Sequence, residues 1–191
     1  MRVNHAPRPP VFLDRDGTLI VEMNYLSDPD KVRIEEGVVE GLALLETHGH
    51  PLIVLSNQSG IGRGLFTEAD ARRVNARADA LLRRHGIGIS GWYLCPHLPE
   101  DSCACRKPLP GMAAAAAREL NLSLAGSYVI GDKRADMELA DAIDATGILV
   151  ATGHGREFAD WARLNFRIVA ANLTEAAEYI VELSTQAASV R

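Results

Sequence analysis

Val11-Phe12-Leu13-Asp14-Arg15-Asp16-Gly17-Thr18 decides how the rest of the chain is read. A short apolar run ends abruptly in two carboxylates separated by one residue, and a glycine follows. Such a run has the character of a buried strand. In an open α/β sheet the chemistry sits just beyond the carboxyl ends of the strands, so Asp14 is expected to be the first residue past the core, aimed into a crevice. Gly17 lets the backbone turn sharply straight afterwards. Two acids this close repel each other unless a cation or a shared proton intervenes. The pattern points to a bound metal, or to a nucleophile beside an acid/base group. A strand ending in an acidic turn is the plain alternative.

Working outward, short apolar runs alternate with segments of helical period. Strands are predicted at 11–13, 52–55, 90–94, 128–130, 148–150 and 167–169. Helices are predicted at 38–48, 67–85, 110–120, 134–143, 158–163 and 174–183. Val38, Leu42 and Leu45 share one face of the first helix, with Gly49 as its stop, and Thr67 with Asp70 forms a capping pair at the start of the second. Residues 60–64, with three glycines, read as a loop. Strands alternating with helices give a doubly wound, Rossmann-like parallel sheet of about six strands in a three-layer α/β/α arrangement. No stretch is long enough for a separate cap. The 191 residues are expected to form a single domain, with 1–10 as a Pro-rich leader and 185–191 as a frayed tail.

Composition excludes several classes. The chain is 47% apolar and 24% charged with a net charge of −5, which suits a globular protein and argues against general nucleic-acid binding. Arg72, Arg73, Arg77, Arg83 and Arg84 fall on one predicted helix but are interleaved with Asp70 and Asp79, so they read as a solvated face. No apolar run approaches the roughly 20 residues that span a bilayer, and the N-terminus lacks a signal-peptide core. No membrane partner and a cytoplasmic location are expected.

Three predicted strand ends carry reactive side chains: Asp14 and Asp16 on the first, Ser56 on the second and Asp132 on the fourth. Parallel strands share one edge, so these groups can converge, and Lys107 can reach the same edge. Acids, a hydroxyl and a lysine suit a phosphate monoester, which carries about −1.5 to −2 charges at neutral pH. A divalent cation with Lys107 would offset the repulsion between that dianion and an attacking carboxylate. Asp132 is placed to ligate Mg²⁺, with Asp136 one turn into the helix bracing it; alternatively Asp132 is a helix N-cap. Ser56 could equally be a turn residue and Lys107 a solvated charge.

Cys95-Pro96-His97 and Cys103-Ala104-Cys105 hold all three cysteines of the chain within one loop, 95–105. Three thiolates and an imidazole make a closed tetrahedral set, the pattern of structural zinc. A disulfide would leave one cysteine over, and a catalytic zinc would need an open position. Arg106 and Lys107 follow the last ligand, so the metal would fix where they point. His5, His48, His50, His85 and His154 read as surface residues.

Asp14-Arg15-Asp16-Gly17-Thr18, Ser56-Asn57-Gln58, Lys107 and Gly131-Asp132 with Asp136 resemble, in order, the four motifs of the haloacid dehalogenase superfamily of phosphatases. The cysteine loop followed by Arg106-Lys107-Pro108 is similar to the zinc-containing branch that holds heptose-bisphosphate and histidinol-phosphate phosphatases. The run from Ser56 to Gly64 and Gly131-Asp132-Lys133 lean to the former, the short cysteine loop to the latter. The resemblance implies a two-step phosphoryl transfer on a small phosphorylated sugar. Asp14 would be the nucleophile and Asp16 the acid/base. Ser56 and Lys107 would stabilise the phosphoryl group. Mg²⁺ would be held by Asp14, Asp16 through its carbonyl, and Asp132, with structural Zn²⁺ on Cys95, His97, Cys103 and Cys105. It also implies that Glu22, Met23, Asn24, Tyr25, Asn57, Gln58, Ser59, Arg106 and Lys133 line the substrate, with Arg106 a candidate for a second phosphate. A monomer is expected. A signalling receiver domain also places acids, Ser/Thr and Lys on such a sheet, but there a later strand ends in the phosphorylated Asp, where this chain has Cys95.

Overall fold

The computed structural model describes residues 8–189, with side chains described as far as residue 186. Six strands form one all-parallel sheet: β1 (Val11–Leu13), β2 (Leu52–Asn57), β3 (Gly91–Cys95), β4 (Tyr128–Gly131), β5 (Thr146–Val150) and β6 (Ile168–Ala170). Their order across the sheet is β3-β2-β1-β4-β5-β6. The chain builds outward from β1 on one side, then crosses back to build on the other. That reversal opens a crevice between β1 and β4 at their carboxyl ends.

The helices are α1 (Val38–Thr47), the single turn α2 (Ser59–Gly62), α3 (Glu68–Arg83), α4 (Gly111–Glu119), α5 (Arg134–Ala142), α6 (Gly155–Leu164) and α7 (Leu173–Ser189). Alternation along each strand sorts the core into two faces. Val11, Leu13, Leu52, Val54, Ile130, Ile148 and Val150 face the layer of α1, α3 and α7, where Leu42, Val74 and Ile180 are buried. Phe12, Ile53, Leu55 and Val129 face α4 and α5, where Met112, Ala116 and Leu139 are buried. A run of apolar residues covered on both faces is what a central parallel strand requires.

Several boundaries differ from the sequence reading. Strand β2 runs on through Ser56 and Asn57, because Ser56 pairs with Leu94 and Asn57 with Cys95 of β3. The glycine-rich stretch contains the turn α2, since Gly60 lies against Phe66 and Tyr25 with no room for a side chain. Helix α6 starts at Gly155, and α7 continues to Ser189 where a frayed tail was expected. Within the expected leader, residues 1–7 lie outside the described residues. The Pro10 carbonyl accepts from Tyr128 N–H and the Pro9 carbonyl lies 2.8 Å from His50 Nδ1, so residues 9 and 10 are tied to the sheet. His50 is therefore buried rather than on the surface; His5 lies outside the described residues. No helix among the described residues is long and apolar enough to cross a membrane.

Candidate active site

Asp14 follows the last residue of β1 and Asp132 follows the last residue of β4, so the sheet register brings them side by side at the switch point. Carboxylate oxygens of Asp14, Asp132 and Asp136 all lie within 4.8 Å of one another, and all three side chains are buried. Packing here is tight. Gly17 (φ 84°) and Gly153 (φ 50°) lie back to back against the Asp132 carboxylate, and a Cβ on either would collide with it. Thr152 Oγ1 donates to the Gly17 carbonyl at 2.6 Å, and His154 N–H donates to Asp132 Oδ2 at 2.8 Å. The end of β5 is thus part of the site. The sequence reading missed this fourth strand end and placed His154 on the surface; Gly153-His154-Gly155 directly after an apolar strand was the available signal.

Lys107 brings a buried cation to this trio. Its Nζ lies 2.5 Å from Asp14 Oδ1 and 2.7 Å from Asp136 Oδ1. Burial would lower the lysine, but the charges of Asp136 and Asp14 outweigh it and raise it above its ordinary value. Burial would likewise raise Asp14, but Lys107 and Lys133 hold its carboxyl below the usual range, so it stays an anion able to attack. Asp132 is pushed up to about 7, first by burial and then by the charge of Asp14, with Lys133 opposing. Lys107 is positioned by Asn57, whose Oδ1 accepts from Lys107 N–H and whose Nδ2 donates to the Lys107 carbonyl, both at 3.0 Å. Asn57 does the work of a strand partner, which fixes the loop after the cysteines to the end of β2.

Asp16 sits in a polar holder. Arg15 Nε and Nη2 donate to its two oxygens at 3.0 Å each, and Gln58 Nε2 donates to Oδ2 at 2.8 Å. Ser56 lies beneath, donating to Asp16 at 3.5 Å and accepting from Gln58 at 2.7 Å. Arg15 is fully buried and reaches Asn75 on α3; the sequence reading assigned neither a role.

Above these groups opens a cleft of about 320 Å³ lined by Asp14, Asp16, Glu22, Asn24, Tyr25, Asn57, Gln58, Ser59, Arg106, Lys107, Lys133, Asp136 and His154 among others. Met23 is not on the lining and is exposed instead. Asn24 (φ 45°) and Tyr25 (φ 56°) both take left-handed backbone, and that turn presents Glu22 and Tyr25 to the cleft while leaving Met23 outside. Ser56 and Asp132 also lie below the lining rather than on it.

At the edge of the cleft, Cys95, His97, Cys103 and Cys105 meet. The Sγ atoms are 3.2–3.6 Å apart, and His97 Nδ1 lies 3.3 Å from Cys105 Sγ and 3.6 Å from Cys95 Sγ. A tetrahedral zinc with Zn–S bonds of about 2.3 Å needs sulfurs roughly 3.8 Å apart, a few tenths of an ångström wider than these, so the set is compatible with that ion. The all-oxygen trio of Asp14, Asp132 and Asp136 suits a hard cation such as magnesium, although Asp136 is already committed to Lys107. Arg106 Nη1 donates to the His97 carbonyl at 3.3 Å, linking the cysteine loop to the cleft wall.

This arrangement has counterparts among known proteins. A HAD-hydrolase-like family model matches residues 104–176. The chain is 41% identical over 166 residues to the D-glycero-beta-D-manno-heptose-1,7-bisphosphate 7-phosphatase of Yersinia pestis, covering 80% of this chain and 88% of that one. The protein of the same name from Escherichia coli K12 is 39% identical over 166 residues, covering 80% and 87%. Among solved structures, D,D-heptose 1,7-bisphosphate phosphatase from B. bronchiseptica, complexed with magnesium and phosphate, superposes with a TM-score of 0.83 at 32% identity, covering 92% of this chain and 99% of that one. The chain belongs to the haloacid dehalogenase-like hydrolases, on the branch whose named members are heptose-1,7-bisphosphate 7-phosphatases.

Proposed function

We propose that the protein is a Mg²⁺-dependent phosphatase that removes the 7-phosphate of D-glycero-β-D-manno-heptose 1,7-bisphosphate through a phosphoaspartate on Asp14, supplying heptose precursors of surface lipopolysaccharide. The observation that carries this reading is the buried Lys107–Asp14 contact at the switch point, beneath an open cleft, in a chain so similar to phosphatases of that name.

Asp14, kept anionic by its lysines, attacks phosphorus, and the bond between phosphorus and the sugar oxygen breaks. Asp16 gives its proton to that departing oxygen. Asp16 then takes a proton from water, which attacks the phosphoaspartate, releasing inorganic phosphate and restoring Asp14. Lys107 and Ser56 stabilise the charge on the transferring group. Asp14, Asp132 and the Asp16 carbonyl would hold the Mg²⁺, whose charge offsets the repulsion between the dianion and the attacking carboxylate. Glu22, Asn24, Tyr25, Gln58, Ser59, Arg106 and Lys133 line the cleft, where the first five would face the sugar and the two cations would meet its second phosphate. Cys95, His97, Cys103 and Cys105 would hold a structural Zn²⁺ that keeps Arg106 and Lys107 in register. Thiols kept as metal ligands belong in a reducing compartment, which supports a cytoplasmic location. Every group in this reading comes from one chain, so a monomer suffices.

The test is Mg²⁺-dependent phosphate release with the heptose bisphosphate and histidinol phosphate compared side by side. The expected result is a specificity constant favouring the heptose substrate and no turnover by Asp14→Asn. A strong preference for histidinol phosphate would reassign the substrate, and an active Asp14→Asn would remove the nucleophile.

A further inference from the structure

Asn75 occupies a position where α3 otherwise buries small or apolar side chains: Ala71, Val74, Ala78 and Leu82 share its face. A buried amide in such a place is costly unless its polar atoms find partners. Its Oδ1 accepts from Arg15 Nη1 at 2.8 Å. Arg15 lies between the two candidate catalytic aspartates in sequence and is 0% exposed. The opposite edge of the same guanidinium, Nε and Nη2, spans both carboxylate oxygens of Asp16 at 3.0 Å. A guanidinium is planar and rigid, so a group holding one end sets the angle presented at the other. Among the described residues, no side chain other than Asn75 and Asp16 itself holds Arg15.

The geometry points to Asn75 as a positioning residue: by anchoring Arg15 it fixes the carboxyl group of Asp16 at the angle from which the leaving oxygen is protonated. Three elements are thereby joined, α3 through Asn75, the loop after β1 through Arg15 and Asp16, and the end of β2 through Gln58. Without the anchor, Arg15 is free to move with Asp16, and the carboxyl is held only by Gln58 and the longer Ser56 contact. This role rests on the phosphatase reading above, in which Asp16 is the proton donor.

The consequence is selective for the leaving group. A sugar alkoxide is a poor leaving group and needs the proton in the transition state; p-nitrophenolate departs without it. The constant kcat/KM covers only the steps up to that departure, so the later use of Asp16 as a base does not enter. We therefore compare kcat/KM for the heptose bisphosphate and for p-nitrophenyl phosphate in the wild type, Asn75→Leu and Asn75→Asp. In Asn75→Leu the ratio of the two constants is expected to fall about tenfold or more, within the range that general acid catalysis supplies. Asn75→Asp keeps an oxygen where Arg15 needs one and should hold the ratio within roughly threefold of the wild type. A purely structural role lowers both constants alike. An unmoved ratio in Asn75→Leu, or an Asn75→Asp ratio that falls equally far, overturns the role of Asn75 while leaving the phosphatase reading intact. Should Asn75→Leu fail to fold, the ratio in Asn75→Asp and in Asn75→Thr, which retains a shorter acceptor and is expected between the other two, decides the matter. Wild-type protein inactive on the sugar substrate overturns the phosphatase reading, and the role of Asn75 with it.

Discussion

Lys107 and Asp136 form a buried ion pair, Nζ to Oδ1 2.7 Å, and the same ammonium touches Asp14. One cation thus serves two carboxylates inside the fold. Removing it strips both of their ion-pair partner and leaves only the more distant charge of Lys133, and breaking a buried pair in this way costs about 3–5 kcal/mol. Lys107→Met should lower the urea midpoint by an amount of that order with the slope unchanged, and should abolish phosphate release. Burial already holds Asp136 above the usual carboxylate range despite Lys107. Without the lysine both carboxyls favour the protonated form when folded. A group raised in the folded state contributes stability at low pH and loses it as pH rises, so the deficit of Lys107→Met should be largest at neutral pH and shrink on acidification. Urea titrations at pH 5 and 7.5 measure this.

The cysteine cluster yields a second prediction. Purified protein should carry one zinc per chain, and Cys103→Ser should lose it. Metal sites in small zinc peptides contribute roughly 10–16 kcal/mol, and some of that ordering should be lost here as a lower melting temperature. Arg106 leans on the His97 carbonyl and Lys107 on Asn57, so the loop is both metal site and cleft wall. Catalytic efficiency should fall about 10- to 100-fold, with KM for the bisphosphate rising, as happens when groups supporting a site are released. Metal analysis with steady-state kinetics tests it; full activity in zinc-free protein would separate the loop from substrate binding.

What could be read from residues alone was set by periodicity and abrupt polarity. Apolar runs ending in Asp14, Ser56 and Asp132 declared the strands and their common edge, because a central parallel strand has no other composition. The thiols declared themselves by being so few and so close. Asn75 stayed hidden because one polar residue on a helix face looks like solvent exposure until the partner, 60 positions away, is seen across the core. Arg15 was hidden for the same reason, since a charged side chain beside two acids reads as surface. Met23 was placed in the cleft by proximity to its neighbours; the left-handed pair Asn24-Tyr25 redirects it, and no strong sequence signal marks that turn. His50 looked exposed in His48-Gly49-His50, yet its ring packs edge-on against Tyr128 at 5.9 Å.

His50 carries the third prediction. Its Nδ1 lies 2.8 Å from the Pro9 carbonyl and must carry the proton there, while Nε2 is buried without a partner. Burial holds the ring below its ordinary value near 6.5, and the nearby Arg8 and His48 charges add to this against the Pro9 contact. A histidine depressed on folding contributes its stability above the unfolded value and loses it as pH falls through the folded one. Acidification below about 6.5 should therefore destabilise the wild type more than His50→Asn, which keeps a donor for Pro9 but takes up no proton. Paired urea midpoints across pH 5 to 8 read out the difference; parallel curves would show that His50 does not titrate on unfolding.

Glu22 should set affinity through its charge. Its Oε1 accepts from Asn24 N–H at 2.8 Å and holds the loop, while Oε2 lies 3.4 Å from Lys133 Nζ and 3.9 Å from His154 Nε2. Lys133 also contacts Asp132 at 3.2 Å, so its ammonium is claimed by two acids in the absence of substrate. An arriving phosphate must compete with Glu22 for that cation and approach against its negative charge. Glu22→Gln retains an acceptor for Asn24 and removes the competitor. KM for the bisphosphate should fall roughly threefold at low ionic strength with kcat little changed, an effect on binding rather than on the transition state. Added salt screens charges over about 10 Å at 0.1 M, so the gap between variant and wild type should narrow as salt is raised. A KM that rises instead would mean that the carboxylate binds the sugar directly and that its charge serves the substrate rather than opposing it.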